Sequence, residues 1–172
     1  MKHTSRFTTA ATLLLAILIT TFGCKSSTSD PGPANLTTLQ GSWKITGITV
    51  DPAYTYLGIS VTDLSSALKL VGENCLADAV ITFNANGTIS NNVATQASCA
   101  TATNTKNLIS TFFGPTTTYS ESGNQATLVT GGQTVTGTKV FTPTTATYTA
   151  KLPTDPGGNP VPTTYTVVLT KQ

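Results

Sequence analysis

The chain has 172 residues with a formal net charge of +2, and only 9% of its residues are charged. It holds a single histidine, His3, and a single arginine, Arg6. So few cations leave no basic footprint for nucleic acid. The scarcity of His and Arg argues against proton shuttling, imidazole metal sites and bidentate phosphate clamps, and so against an enzyme.

At the N-terminus, Lys2 and Arg6 precede a mostly apolar run from Ala10 to Phe22, and the small Gly23 stands just before Cys24. That order matches a secretory signal. The run is shorter than the ~20 residues a membrane-spanning helix needs, and Thr12, Thr20 and Thr21 interrupt it. Thr21-Phe22-Gly23-Cys24 resembles a bacterial lipobox, with Thr21 and Phe22 departing from the usual pattern. The resemblance implies that residues 1–23 are a lipoprotein signal peptide, cut before a Cys24 whose sulfur carries diacylglycerol. The alternatives are a retained membrane anchor, or an ordinary secretory signal that leaves Cys24 a free thiol. Acyl chains, palmitate among them, would then hold a monomeric protein in the cell envelope, since stable attachment takes more than one chain. Lys25 gives no inner-membrane retention signal, which points to the outer membrane, on either of its faces.

Cleavage would leave 149 residues without His, Arg or Met, in which seven lysines balance five aspartates and two glutamates. The net charge of the mature chain is then zero, and the positive charge belongs to the targeting segment. Residues 24–35 combine the lipidated Cys24 with a Ser-, Pro- and Gly-rich stretch, Lys25 to Asn35, that reads as a flexible tether spanning about 20 Å. A single domain over 36–172 follows.

Within that domain, threonine dominates in short alternating runs punctuated by Gly, Asn and Pro, which predicts an all-β fold. Trp43 and Ile45 share one face of the first strand; a bulge at Gly47 would shift parity so that Ile48 and Val50 resume it. Asp51-Pro52 reads as a turn starter. Leu64, Ala67, Leu68 and Val71 recur at helical spacing, with Thr62 or Asp63 to cap the start and Gly72 to end it. This predicts a short helix between the first two strands. Asp63, Glu73 and Asp78 lack the spacing of a calcium loop and read as solvated surface. Ala79, Ile81 and Phe83 share a face, and Asn84-Ala85-Asn86-Gly87 forms the following turn.

Cys75 and Cys99 form an even pair in a chain bound for an oxidising compartment, so a disulfide is expected. Closing a loop of that length stabilises a fold by roughly 3 to 4 kcal/mol in the chain-entropy account. Further turns are expected near Ser122-Gly123-Asn124, Gly131-Gly132 and Thr142-Pro143, the spacing of an antiparallel meander. Tyr148, Ala150 and Leu152 line one face of a late strand, and Tyr165, Val167 and Leu169 line one face of the last. Between them runs an exposed loop, Pro153 to Pro162.

Leu39-Gln40-Gly41-Ser42-Trp43-Lys44 resembles the Gly-x-Trp opening of lipocalins, and the whole of 36–172 resembles small lipocalin-like lipoproteins of Gram-negative bacteria. The resemblance implies an antiparallel meander of about eight strands closing into a barrel or flattened sandwich. It also implies non-catalytic binding of a small hydrophobic ligand, with no cofactor and no metal. The large residues on the inferred inner faces, Trp43, Phe83, Tyr148 and Tyr165, are then the candidate ligand contacts. Lipocalins pack a late-strand arginine over the tryptophan, and none stands there in this chain. The end at Lys171-Gln172 leads one to expect a reduced barrel without the C-terminal helix. The second functional reading is a solid barrel whose loops, such as Tyr54 to Ser60 or Pro153 to Pro162, meet a protein partner at the envelope. The volume of the interior separates the two readings.

Overall fold

The computed structural model describes residues 36–172. The expected signal peptide (1–23) and the expected lipidated Cys24 with its tether (24–35) lie outside the described residues. Strand β1 spans Gly41–Tyr56, and β2, Ile59–Asp63, pairs back on it. Helix α1 covers Leu64–Leu70 and is followed by the hairpin β3 (Val80–Phe83) and β4 (Ile89–Asn91). Helix α2, Thr103–Phe113, precedes a meander of β5 (Thr118–Ser122), β6 (Gln125–Thr130), β7 (Gln133–Phe141), β8 (Thr145–Leu152) and β9 (Thr163–Lys171).

Eight of the strands run side by side in the order β4-β3-β1-β9-β8-β7-β6-β5. The two ends of that series meet at an antiparallel bridge between Thr88 and Thr118. There Ile89 N–H donates to Thr117 O at 3.1 Å and Tyr119 N–H donates to Gly87 O at 2.7 Å. The sheet is thereby closed into a small barrel, the barrel form of the two that the lipocalin resemblance implies, with β2 outside the ring.

The parity shift in β1 is present. Its register against β9 slips between Ile45 and Gly47, and Trp43, Ile45, Ile48 and Val50 are all buried. Ala79, Ile81 and Phe83 form the inner face around β3, and Tyr148, Ala150, Leu152, Tyr165, Val167 and Leu169 that of β8 and β9. All three meander turns fall between the strands that the sequence separates. Cys75 and Cys99 are joined, with Cα atoms 4.6 Å apart, and both are fully buried.

Two stretches differ from expectation. Asp51-Pro52 opens no turn: β1 passes straight through it, with the ladder to β2 irregular between Thr49 and Tyr54, where a missing proline N–H is tolerated. The stretch Tyr54 to Ser60 is a hairpin tip instead of an open loop. Leu57 (φ 50°) and Gly58 (φ 81°) make the two-residue, left-handed turn that fits a twisted hairpin. Because this tip adds β2, helix α1 follows the second strand in chain order. It starts on Asp63, which accepts the Ser66 N–H at 3.1 Å.

Helix α2 has no counterpart in the sequence reading. Its own N-cap position is Ala102, which offers no capping side chain. The cap comes from Glu73 instead, whose carboxylate accepts Asn104 N–H at 3.1 Å, Asn104 Nδ2 at 2.8 Å, Thr105 N–H at 2.7 Å and Thr105 Oγ1 at 2.8 Å. Partial burial pushes the Glu73 carboxyl up, but these bonds outweigh it and hold it below its ordinary value. A group with a depressed folded pKa contributes stability that is present above its unfolded pKa and lost as the pH falls through the folded one. Glu73→Gln is therefore expected to cost about 1 kcal/mol at pH 7, the worth of a helix cap. The gap between variant and parent in urea denaturation should narrow below about pH 5. An unchanged gap at pH 3 would show that the ionised carboxylate is not the cap.

Candidate functional site

The barrel's two ends differ in chemistry. At the end where β1 begins, Trp43 is fully buried and its indole N–H donates to Leu39 O. Lys171, opposite Trp43 in the β1–β9 ladder, brings its ammonium within 4.5 Å of the indole centroid. It also donates to Gln40 O at 2.7 Å. A late-strand cation thus covers the tryptophan after all, as a lysine, through a cation–π contact. Burial holds the Lys171 ammonium below its ordinary pKa. Beside it, Lys139 and Glu121 form an ion pair, with side chains 3% and 15% exposed. Glu121 also accepts Leu39 N–H and Thr38 Oγ1, each at 2.9 Å. This end is sealed by the entering chain.

Side chains fill the middle of the barrel. Phe83 packs edge-on against Phe113 at 5.9 Å and Tyr119 at 5.0 Å between centroids. Tyr148 donates its hydroxyl to Val135 O at 3.2 Å, and burial pushes its pKa up to about 12. Helix α2 lays Phe112 and Phe113, 2% and 1% exposed, over the interior, and Phe112 meets the Tyr165 ring edge-on at 5.1 Å. Of the four residues proposed as ligand contacts, Trp43, Phe83 and Tyr148 are thus packed in the core.

Tyr165 alone reaches an open space. At the end where β1 finishes, a cleft of about 380 Å³ lies between the β1–β2 hairpin, both helices and the β8–β9 loop. Leu64, Leu68, Leu108 and Leu152 give it an apolar base, Tyr54, Tyr56 and Tyr165 an aromatic wall, and Asn104, Asn107, Thr111 and Thr154 a neutral polar rim. The Tyr54 and Tyr56 rings are tilted neighbours, 6.3 Å apart. Tyr165 donates to Thr154 O at 3.4 Å, and burial, then the charge of Asp155, raises its pKa to about 12.

The β8–β9 loop is built to stay against this wall. Asp155 accepts Gly157 N–H at 2.8 Å, Asn159 N–H at 2.9 Å and Asn159 Nδ2 at 2.8 Å. Gly157 is pressed on Tyr54, where an added Cβ would lie 2.8 Å from the phenol oxygen. The two segments singled out in the sequence as partner loops, Tyr54 to Ser60 and Pro153 to Pro162, therefore meet at one cleft. The sequence reading missed the α2 contribution, although Leu108, Ile109, Phe112 and Phe113 carry helical spacing.

Asp63, Glu73 and Asp78 do not converge: the first two cap helices and Asp78 accepts Ser98 Oγ at 2.6 Å. Among the described residues no group of three or more His, Cys, Asp or Glu side chains is placed to hold a metal.

A small closed antiparallel barrel, packed at its tryptophan end and opening at the other on a cleft of leucines, tyrosines, neutral polar groups and Asp155, belongs to the class of small β-barrels whose interior either fills itself or holds one small ligand. More particularly, the lipocalin-like domain family matches residues 39–149, well over half of the chain, and the chain belongs to that family. No curated protein and no solved structure matches it. The family match ends within β8, so Tyr165 and the Asp155 loop lie beyond the matched stretch.

Proposed function

We propose that this protein is a non-catalytic envelope lipoprotein that binds a small, largely apolar molecule in the cleft at the far end of its barrel. The cleft carries the proposal: about 380 Å³ with a leucine base and a three-tyrosine wall, within the size range of small-molecule sites. Support for the envelope anchor comes from the order Lys2, Arg6, Ala10 to Phe22, Gly23, Cys24. Zero net charge in the mature chain supports a partner that is neither nucleic acid nor an anionic surface. The absence of His and Arg after residue 23 supports binding over catalysis.

Native mass spectrometry of mature protein purified from its own host tests this reading, and the intact mass tests cleavage and acylation at Cys24. A retained molecule of a few hundred daltons is expected. It should be lost in Leu108→Arg, whose long cation would occupy the cleft from a half-buried position. No retained molecule, together with no binding of n-decanol, would sink the ligand reading. The alternative is a protein-interaction module. It draws support from Leu57 and Ile59, 75% and 60% exposed at the hairpin tip beside the cleft.

A further inference from the structure

We infer that the cleft selects by charge: it takes uncharged ligands, such as a long-chain alcohol, ester or amide, and rejects the matching carboxylate or phosphate. The inference rests on the ligand-binding reading and deepens it. None of the cleft's lining residues is Lys, Arg or His. The nearest cation on α2, Lys106, donates to Ala100 O at 2.8 Å and lines a different depression on the other side of the helix.

Backbone offers no substitute for a cation. The first amides of α2, which would be the anion-binding end of that helix, are already taken by the Glu73 carboxylate. Glu73 therefore places a negative charge where an incoming anion would seek a positive dipole.

The one acid in the lining is Asp155. Its hydrogen bond from the Asn159 side chain, and then those from the loop backbone, hold its carboxyl below the usual range, so it is ionised at neutral pH. Its field reaches the cleft wall, because it is one of the causes of the raised Tyr165 pKa. A ligand carboxylate would shed water onto leucine and tyrosine, find no counter-ion, and face a like charge. A hydroxyl or amide would lose little, since Asn107 and Thr154 on the rim provide neutral donors and acceptors.

The matched pair n-decanol and decanoate tests this on the mature chain, by ligand-observed NMR or calorimetry. At pH 8 decanol should bind at least about tenfold more tightly. The gap should close near pH 4, where the ligand carboxyl is protonated. Asn107→Lys adds a cation at an exposed rim position and should shift the ratio of decanoate to decanol affinity at least about tenfold toward decanoate. Decanoate binding as tightly as decanol at pH 8 would overturn the charge selection and leave the binding reading intact. So would a failure of Asn107→Lys to favour decanoate. If neither probe binds, the underlying ligand reading fails and this selection with it.

Discussion

Lys139→Met is expected to destabilise the barrel domain by about 3 kcal/mol, with Trp43 reporting the change. Lys139 starts on a strand of the barrel, and its ammonium ends in a nearly water-free place, its side chain 3% exposed. There it pairs with Glu121, lies 5.4 Å from the centre of the Phe141 ring, and reaches Thr37 O at 3.5 Å. Desolvating both ions is expensive, and their attraction offsets that cost only while both are present. Methionine keeps the volume of the stem but leaves the Glu121 carboxylate facing the core with only Leu39 N–H and Thr38 Oγ1 to satisfy it.

Because Glu121 also holds the entering strand, the damage should be local. The Leu39 carbonyl that accepts the Trp43 indole N–H sits on the same residue whose amide Glu121 accepts. A shift of Trp43 emission at denaturant concentrations below the main transition is expected in the variant, since this is the chain's single tryptophan. Glu121→Gln should cost a similar amount, now by orphaning a deeply buried ammonium. The double variant Lys139→Met with Glu121→Gln is expected to lose at least about 1.5 kcal/mol less than the two singles added together, because no unpaired charge remains and Gln still accepts from Leu39. Additive losses would mean that the two groups are independently solvated and that the seal is made by Trp43 and Lys171 alone.

This seal marks where the sequence was informative and where it fell silent. Gly41-Ser42-Trp43 was visible as a barrel opening, and the absence of a late arginine was visible too. What could not be read was that Lys171 stands opposite Trp43, since that depends on β1 pairing with β9, the two strands furthest apart in the chain. Alternation exposes which face of a strand is apolar, so the inner faces of β1, β3, β8 and β9 were legible, including the slip at Gly47. Alternation carries no information about which strand lies next to which.

Helix α2 failed for a related reason. Its stripe of Leu108, Ile109, Phe112 and Phe113 was present, but a helix is recognised by its start as well as its stripe, and its start signal, Glu73, lies 31 residues upstream of Asn104. Helix α1, capped by Asp63 three residues before Ser66, was legible because its signal is local. The cleft inherits both difficulties. Tyr54 and Tyr56, the α2 face and the Asp155 loop come from three distant stretches, and reading large inner residues as ligand contacts pointed to positions that the barrel uses to fill itself.

Phe112→Ala bears most directly on the boundary between core and cleft, and it is expected to cost about 3–5 kcal/mol, the range for removing a buried phenylalanine. The ring is 2% exposed and stands between the Tyr165 and Phe113 rings. Tyr165 is at the same time a wall of the cleft. Deleting the ring should therefore extend the cleft into the barrel, because close-packed neighbours relax only partly around a void. Two consequences separate this from ordinary core damage. Under the inferred charge selection an anionic probe such as anilinonaphthalene sulfonate would report charge as well as space, so the informative probe is a neutral one, naphthalene. Naphthalene should bind the variant more tightly than the parent and should raise the variant's midpoint of unfolding in proportion to the logarithm of its concentration. Phe112→Leu, which keeps most of the volume, should cost about 1 kcal/mol and gain no such affinity. If Phe112→Ala loses stability without gaining naphthalene, the space has collapsed or does not communicate with the cleft, and α2 then acts as a fixed floor instead of a plug between the filled barrel and its open end.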